Sequence, residues 1–117
     1  MPLMRIITNV KINDADEREK LLQAASSATS TMLGKPESYV MVHLEQNQPL
    51  SFGATQEPAC LIEVKSLGLK EDTTAEMTRR LCDLAEIHLG VPANRTYIEF
   101  TNPPRHLWGF DGHTFER

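Results

Sequence analysis

Two stretches decide the fold: "LGKPESYVMVHLE" at residues 33–45 and "LGVPANRTYIEF" at residues 89–100. Each opens Leu-Gly-x-Pro and turns within a few residues into a strand-like run. Gly34 and Gly90 suit the left-handed position that closes a helix, and the proline two residues on prevents continuation. A helix is therefore expected before each. Residues 14–33 carry an apolar stripe of Leu21, Leu22, Ala25, Ala28 and Met32, with Asp14 and Glu17 spaced as a capping box. Residues 74–89 carry Met77, Leu81, Leu84, Ala85 and Leu89, with Thr73 and Glu76 in the same relation.

Strand-like runs complete the pattern. "LMRIITNV" at 3–10 and "CLIEVKSLG" at 60–68 precede the two helices; "YVMVHLE" at 39–45 and "YIEFT" at 97–101 follow them. The chain reads as two strand–helix–strand repeats, about 2–58 and 59–117, within one domain spanning 1–117. Right-handed crossovers make the strands of each repeat parallel. An α/β fold follows, with one four-stranded sheet and both helices on one face. The other face, with residues such as Ile7, Met41 and Ile62, would be partly bare. An apolar patch of that kind marks an interface, so a homo-oligomer is expected.

Composition narrows the function. A net charge of −4 without basic blocks argues against nucleic acid or anionic membrane as partner. No apolar run approaches the ~18 residues a membrane span needs. The N-terminal residues lack a basic segment followed by an apolar one, so cytoplasmic synthesis is the default and export would use a leaderless route. Cys60 and Cys82 fit neither a zinc pattern nor a Cys-x-x-Cys motif and read as structural thiols. The four histidines lack metal-ligand spacing.

Connectivity places one chemically useful pair. In a parallel strand–helix–strand unit both strands start at the same end of the sheet, so Pro2 and Lys35 meet at one edge. Removal of Met1, which a small second residue permits, would leave Pro2 with a free secondary amine. An α-amino group ordinarily titrates near ~8, and burial plus a nearby lysine both disfavour its charged form. Lowering it to about 6 would take the free base from about a tenth to about nine-tenths at pH 7, where a general base operates. Taken singly the two residues are unspecific. Proline is tolerated at a strand start, and a lysine past a helix C-terminus complements the dipole.

The segments "MPLMRIITNV", "LGKPESYVMVHLE", "LSFGATQEPA", "EVKSLG", "LGVPANRTYIEF" and "WGFDGHTF" together resemble the macrophage migration inhibitory factor family of the tautomerase superfamily. They cover nearly the whole chain in family order, and "GKPESYVMV" is the most specific. The resemblance implies a homotrimer whose three sheets form a central barrel, with the second repeat antiparallel to the first. It implies a keto–enol tautomerase of phenylpyruvate-like 2-keto acids, or of dopachrome derivatives, without metal or organic cofactor. Pro2 would be the general base and Lys35 the partner of the substrate carboxylate. Leu67 stands where the family usually has isoleucine, whose backbone contributes to the pocket. Tyr39, Trp108, Phe110 and Phe115 match pocket-wall positions. Tyr97 matches the tyrosine supplied by an adjacent subunit, because it falls at the far end from Pro2 of its own chain.

Three departures stand out. The family's Cys-x-x-Cys would fall on Ala59 and Ile62, so thiol oxidoreductase activity is not expected. Glu99 replaces a pocket asparagine and would repel an anionic substrate unless protonated, turned away or paired with Arg105. Trp108 comes one step early, which alters the pocket rim. Two other activities share the scaffold. Decarboxylases and dehalogenases of this superfamily add arginines around the proline, for which Arg5 and Arg105 are the candidates. A leaderless cytokine-like ligand for a protein receptor, with incidental tautomerase activity, is the main alternative.

Overall fold

The computed structural model describes residues 1–116. Its elements are β1 (Pro2–Thr8), α1 (Ala15–Leu33), β2 (Met41–Glu45), β3 (Cys60–Ser66), α2 (Thr74–Leu89), β4 (Thr96–Thr101), and a short hairpin of β5 (Gly109–Phe110) and β6 (His113–Thr114). The main sheet runs β2-β1-β3-β4, with β1 parallel to β2, β3 parallel to β4, and β1 antiparallel to β3. The two repeats are thus parallel inside and opposed to each other.

Both helices end as their sequences dictate. Gly34 and Gly90 sit at φ 63° and 69°, where a side chain would be strained. The N–H groups of Gly34 and Lys35 both donate to the Ser30 carbonyl, which fixes Lys35 directly past the helix end. At the start of α1 the Asp14 carboxylate accepts from the Asp16 N–H, so Asp14 is the cap. Thr73 does not cap α2: its hydroxyl donates to the Lys70 carbonyl within a 3₁₀ turn at Glu71–Thr73. The local turn outcompetes the capping geometry that spacing alone implied.

Met4, Ile6, Ile62, Val64, Leu21, Ala25, Leu81, Leu84, Ala85 and Leu89 form one buried cluster between sheet and helices. Thr29 joins this face despite its hydroxyl, because the hydroxyl donates to the Ala25 carbonyl one turn back at 2.7 Å. Ile62 belongs to this covered face and is fully buried, which corrects its assignment to the bare one. The period-2 alternation of β3, in register with β1, puts Ile62 opposite Ile6.

The open face is banded. Met41, Leu3, Lys65 and Thr101 form one cross-strand row; His43, Arg5, Glu63 and Glu99 the next; Glu45, Ile7, Leu61 and Tyr97 the third. Arg5 reaches Glu45 at 3.0 Å and Glu63 at 3.4 Å. The uncovered surface is therefore a charged strip between a mixed row and a mainly apolar one rather than a continuous apolar patch.

Candidate functional site

The antiparallel pairing of β1 with β3 sets Pro2 opposite Ser66, and the parallel pairing with β2 sets Leu3 opposite Met41. This end of the sheet holds a cavity of about 400 Å³ whose lining includes Pro2, Ser38, Tyr39, Met41, Trp108 and Phe110. Pro2 is fully buried at its base. The aromatic wall has defined geometry. Phe110 meets Tyr39 edge-on at 5.9 Å and is backed by Phe115, which stacks on it at 6.2 Å without itself lining the cavity.

Local sequence builds that wall. "ESY" at 37–39 forms a 3₁₀ turn between α1 and β2, which turns Tyr39 towards the tail rather than into the strand. In the tail, Asp111 and Gly112 take φ 53° and 82°, the left-handed pair that closes a tight hairpin. The hairpin returns the chain so that the Phe115 N–H donates to the carbonyls of Trp108 and Arg105. Phe110 and Phe115 come face to face in consequence.

Lys35 and Leu67 lie at the same end of the sheet. Lys35 lines a neighbouring cavity of about 450 Å³ together with Ser66, Gly68 and Lys70. Leu67, directly after Ser66, is buried. The chain-terminal amine at Met1 has its pKa lowered, first by burial, then by the Lys35 and Arg105 cations. Lys35 is thus within electrostatic reach of the N-terminus, as connectivity required. Arg5 is not available there, since Glu45 and Glu63 engage it near mid-sheet.

Tyr97 lies elsewhere. It pairs with Leu61 near the opposite end of β3, five residues from the Ser66 that faces Pro2, a separation of about 17 Å at ~3.4 Å per residue. Its side chain is 65% exposed. Within one chain the fold does not bring Tyr97 to Pro2. Glu99 projects from the open face beside Glu63, and among the described residues it forms no ion pair with Arg105. It is turned away from its own chain's Pro2 cavity, which it does not line.

Sequence reasoning missed Ser38 and Met41 as lining residues. The signal was present for Met41, because a parallel β1–β2 pairing that starts both strands together must set it beside Leu3. Ser38 carried no such signal.

A family model described as macrophage migration inhibitory factor (MIF) matches residues 1–116. The chain belongs to the MIF family. A MIF homolog from Trichinella spiralis is 34% identical over 116 residues, covering 98% of this chain and 100% of the relative. A crystal structure of the Prochlorococcus marinus MIF homologue superposes with a TM-score of 0.90 at 43% identity, covering 97% and 99% of the two chains. The Toxoplasma gondii MIF structure gives 0.88 at 35% identity, with coverage of 97% and 99%. Membership supports, in general terms, an isomerase of the tautomerase kind or a MIF-like signalling role. No helix among the described residues is long and apolar enough to cross a membrane.

The thiols stand apart from this chemistry. Burial pushes Cys60 up to about 12, with a smaller contribution from Cys82, and burial also raises Cys82, followed by the charge of Asp83. A thiol that keeps its proton in the fold contributes stability below the unfolded value of ~8.5 and loses it as pH rises from there towards 12. At about pH 8 an aromatic disulfide reagent should therefore label the native protein slowly and both thiols rapidly in denaturant. Fast native labelling of Cys60 would contradict its buried, neutral state.

Proposed function

We propose that this protein is a cofactor-independent keto–enol tautomerase of phenylpyruvate-like 2-keto acids, with Pro2 as general base once Met1 has been removed. The observation that carries the reading is the setting of the N-terminus. Pro2 is buried at the base of an aromatic-walled cavity, beside an amine that burial, Lys35 and Arg105 all hold towards its neutral form. While Met1 is attached, the proline nitrogen is an amide and has no basicity to offer. Cleavage would put the free amine one residue deeper, against the same groups.

In the proposed reaction the Pro2 nitrogen takes a proton from the carbon next to the carbonyl. The C–H electron pair forms the carbon–carbon double bond, and the carbonyl π pair moves to oxygen, to which the Pro2 ammonium returns the proton to give the enol and the free amine. Microscopic reversal returns the ketone. Lys35 would hold the substrate carboxylate, while Tyr39, Trp108 and Phe110 would flank its ring and Phe115 would back Phe110. A homotrimer would complete each site with Tyr97 from the adjacent subunit. Two features favour that assembly: the exposure of Tyr97, and the Ile7–Leu61–Tyr97 row on the open sheet face.

The test combines intact mass with a phenylpyruvate enol–keto absorbance assay across pH. The mass is expected to lack Met1. Because the neutral amine is the active form, kcat/KM should rise through an acid limb lying below the ~8 of an ordinary α-amino group. Turnover by protein that retains Met1, or a limb at or above that value, would overturn the reading.

A further inference from the structure

The long connection at 46–59, between β2 and β3, has no helix and only an isolated bridge at Phe52 and Thr55, yet it is held at two points. The Asn9 amide donates to the carbonyls of Gln56 and Glu57 and accepts from the Ala59 N–H. From the other side the Arg95 guanidinium donates to four carbonyls, those of Phe52, Thr55, Glu57 and Pro58, at 2.9–3.4 Å. Phe52 and Thr55 close a two-residue turn through reciprocal backbone bonds, with Gly53 and Ala54 both left-handed. Arg95 grips both sides of that turn.

The same guanidinium lies 5.1 Å from the centre of the Phe52 ring, and Phe52 packs on Tyr97 at 5.0 Å with the planes tilted by 56°. Phe52 is the one aromatic ring in contact with Tyr97 among the described residues, and much of the tyrosine is left exposed. We propose that Arg95 is a positioning residue: by clamping the 52–55 turn it fixes Phe52 as the support that sets the Tyr97 ring for a neighbouring subunit's Pro2 cavity. This rests on the reading above in which Tyr97 completes the adjacent site. Only a planar fork can satisfy four carbonyls and cover a ring face together. Lysine keeps the charge but not that geometry.

The experiment is a double-mutant cycle on the assembled protein with phenylpyruvate as probe. Arg95→Lys and Phe52→Leu should each raise KM about three- to tenfold with kcat within about twofold. In a Tyr97→Ala background the same changes should move KM less than about twofold, because the ring they act through is gone. Undiminished effects in that background would overturn the proposal, since a general loss of structure does not depend on Tyr97. A wild-type KM for Arg95→Lys and Phe52→Leu beside a raised KM for Tyr97→Ala would overturn it as well. If Arg95→Lys fails to fold, Phe52→Leu carries the cycle alone. Failure of the shared site is separable: mixed Tyr97→Ala and Pro2→Gly subunits should recover the wild-type KM at sites pairing an intact proline with an intact tyrosine. No recovery, or a wild-type KM for Tyr97→Ala, would remove the cross-subunit site and the positioning role with it.

Discussion

Replacing Pro2 by glycine should lower phenylpyruvate turnover at least tenfold while leaving the mass of the assembly unchanged. Glycine in second position also permits Met1 removal, so the variant still presents an α-amine. What it loses is the ring that fixes the nitrogen lone pair and fills the buried base of the cavity. A positioned general base contributes about 10²–10⁴-fold, and a mobile primary amine retains part of that. The loss should appear mainly in kcat, because Lys35 and the aromatic wall, to which the proposal assigns substrate binding, are unchanged. Undiminished turnover would place the base elsewhere. The β1 ladder is expected to survive, since Pro2 donates no backbone hydrogen bond that the substitution could remove and Met4 and Ile6 still anchor the strand in the core.

Lys35→Ala should raise KM for carboxylate substrates about ten- to hundredfold while sparing esters, the range expected for one charge-assisted hydrogen bond worth ~1.5–3 kcal/mol. A second readout follows from its position. The Lys35 cation is one of the groups that disfavour the charged N-terminal amine. Without it the ammonium form persists to higher pH, so the acid limb of kcat/KM should move in the alkaline direction. A structural lysine would affect acids and esters alike, whereas an unmoved limb would place its charge out of reach of the amine. Both measurements use one variant, and the ester comparison controls for any local rearrangement of the helix end.

Much of this arrangement was legible in the chain. The two Leu-Gly-x-Pro stops located both helix ends, because a left-handed residue followed by proline admits few alternatives. The parallel crossover by itself brings Pro2 and Lys35 to one edge. The tail hairpin and the 3₁₀ turn at 37–39 were not anticipated, although together they set Tyr39, Phe110 and Phe115 in contact. Their cause is short-range backbone conformation that hydrophobic periodicity does not record. Of the three outcomes left open for Glu99, strand alternation selects one: the residue is turned onto the open face beside Glu63, away from its own chain's Pro2 cavity.

By itself, then, the amino-acid sequence determined the repeat, the helix boundaries, the parallel pairing within each half and the placement of proline and lysine at a common edge. These follow from local stereochemistry and chain connectivity, which act over a few residues or one crossover. Tertiary structure alone decided which face each strand residue takes, how Arg5 is consumed by two carboxylates, and how Arg95 and Asn9 hold the 46–59 connection against Tyr97. Those outcomes depend on the register between strands and on contacts across some forty or more positions of chain, where a shift of a single residue would turn every side chain to the opposite face.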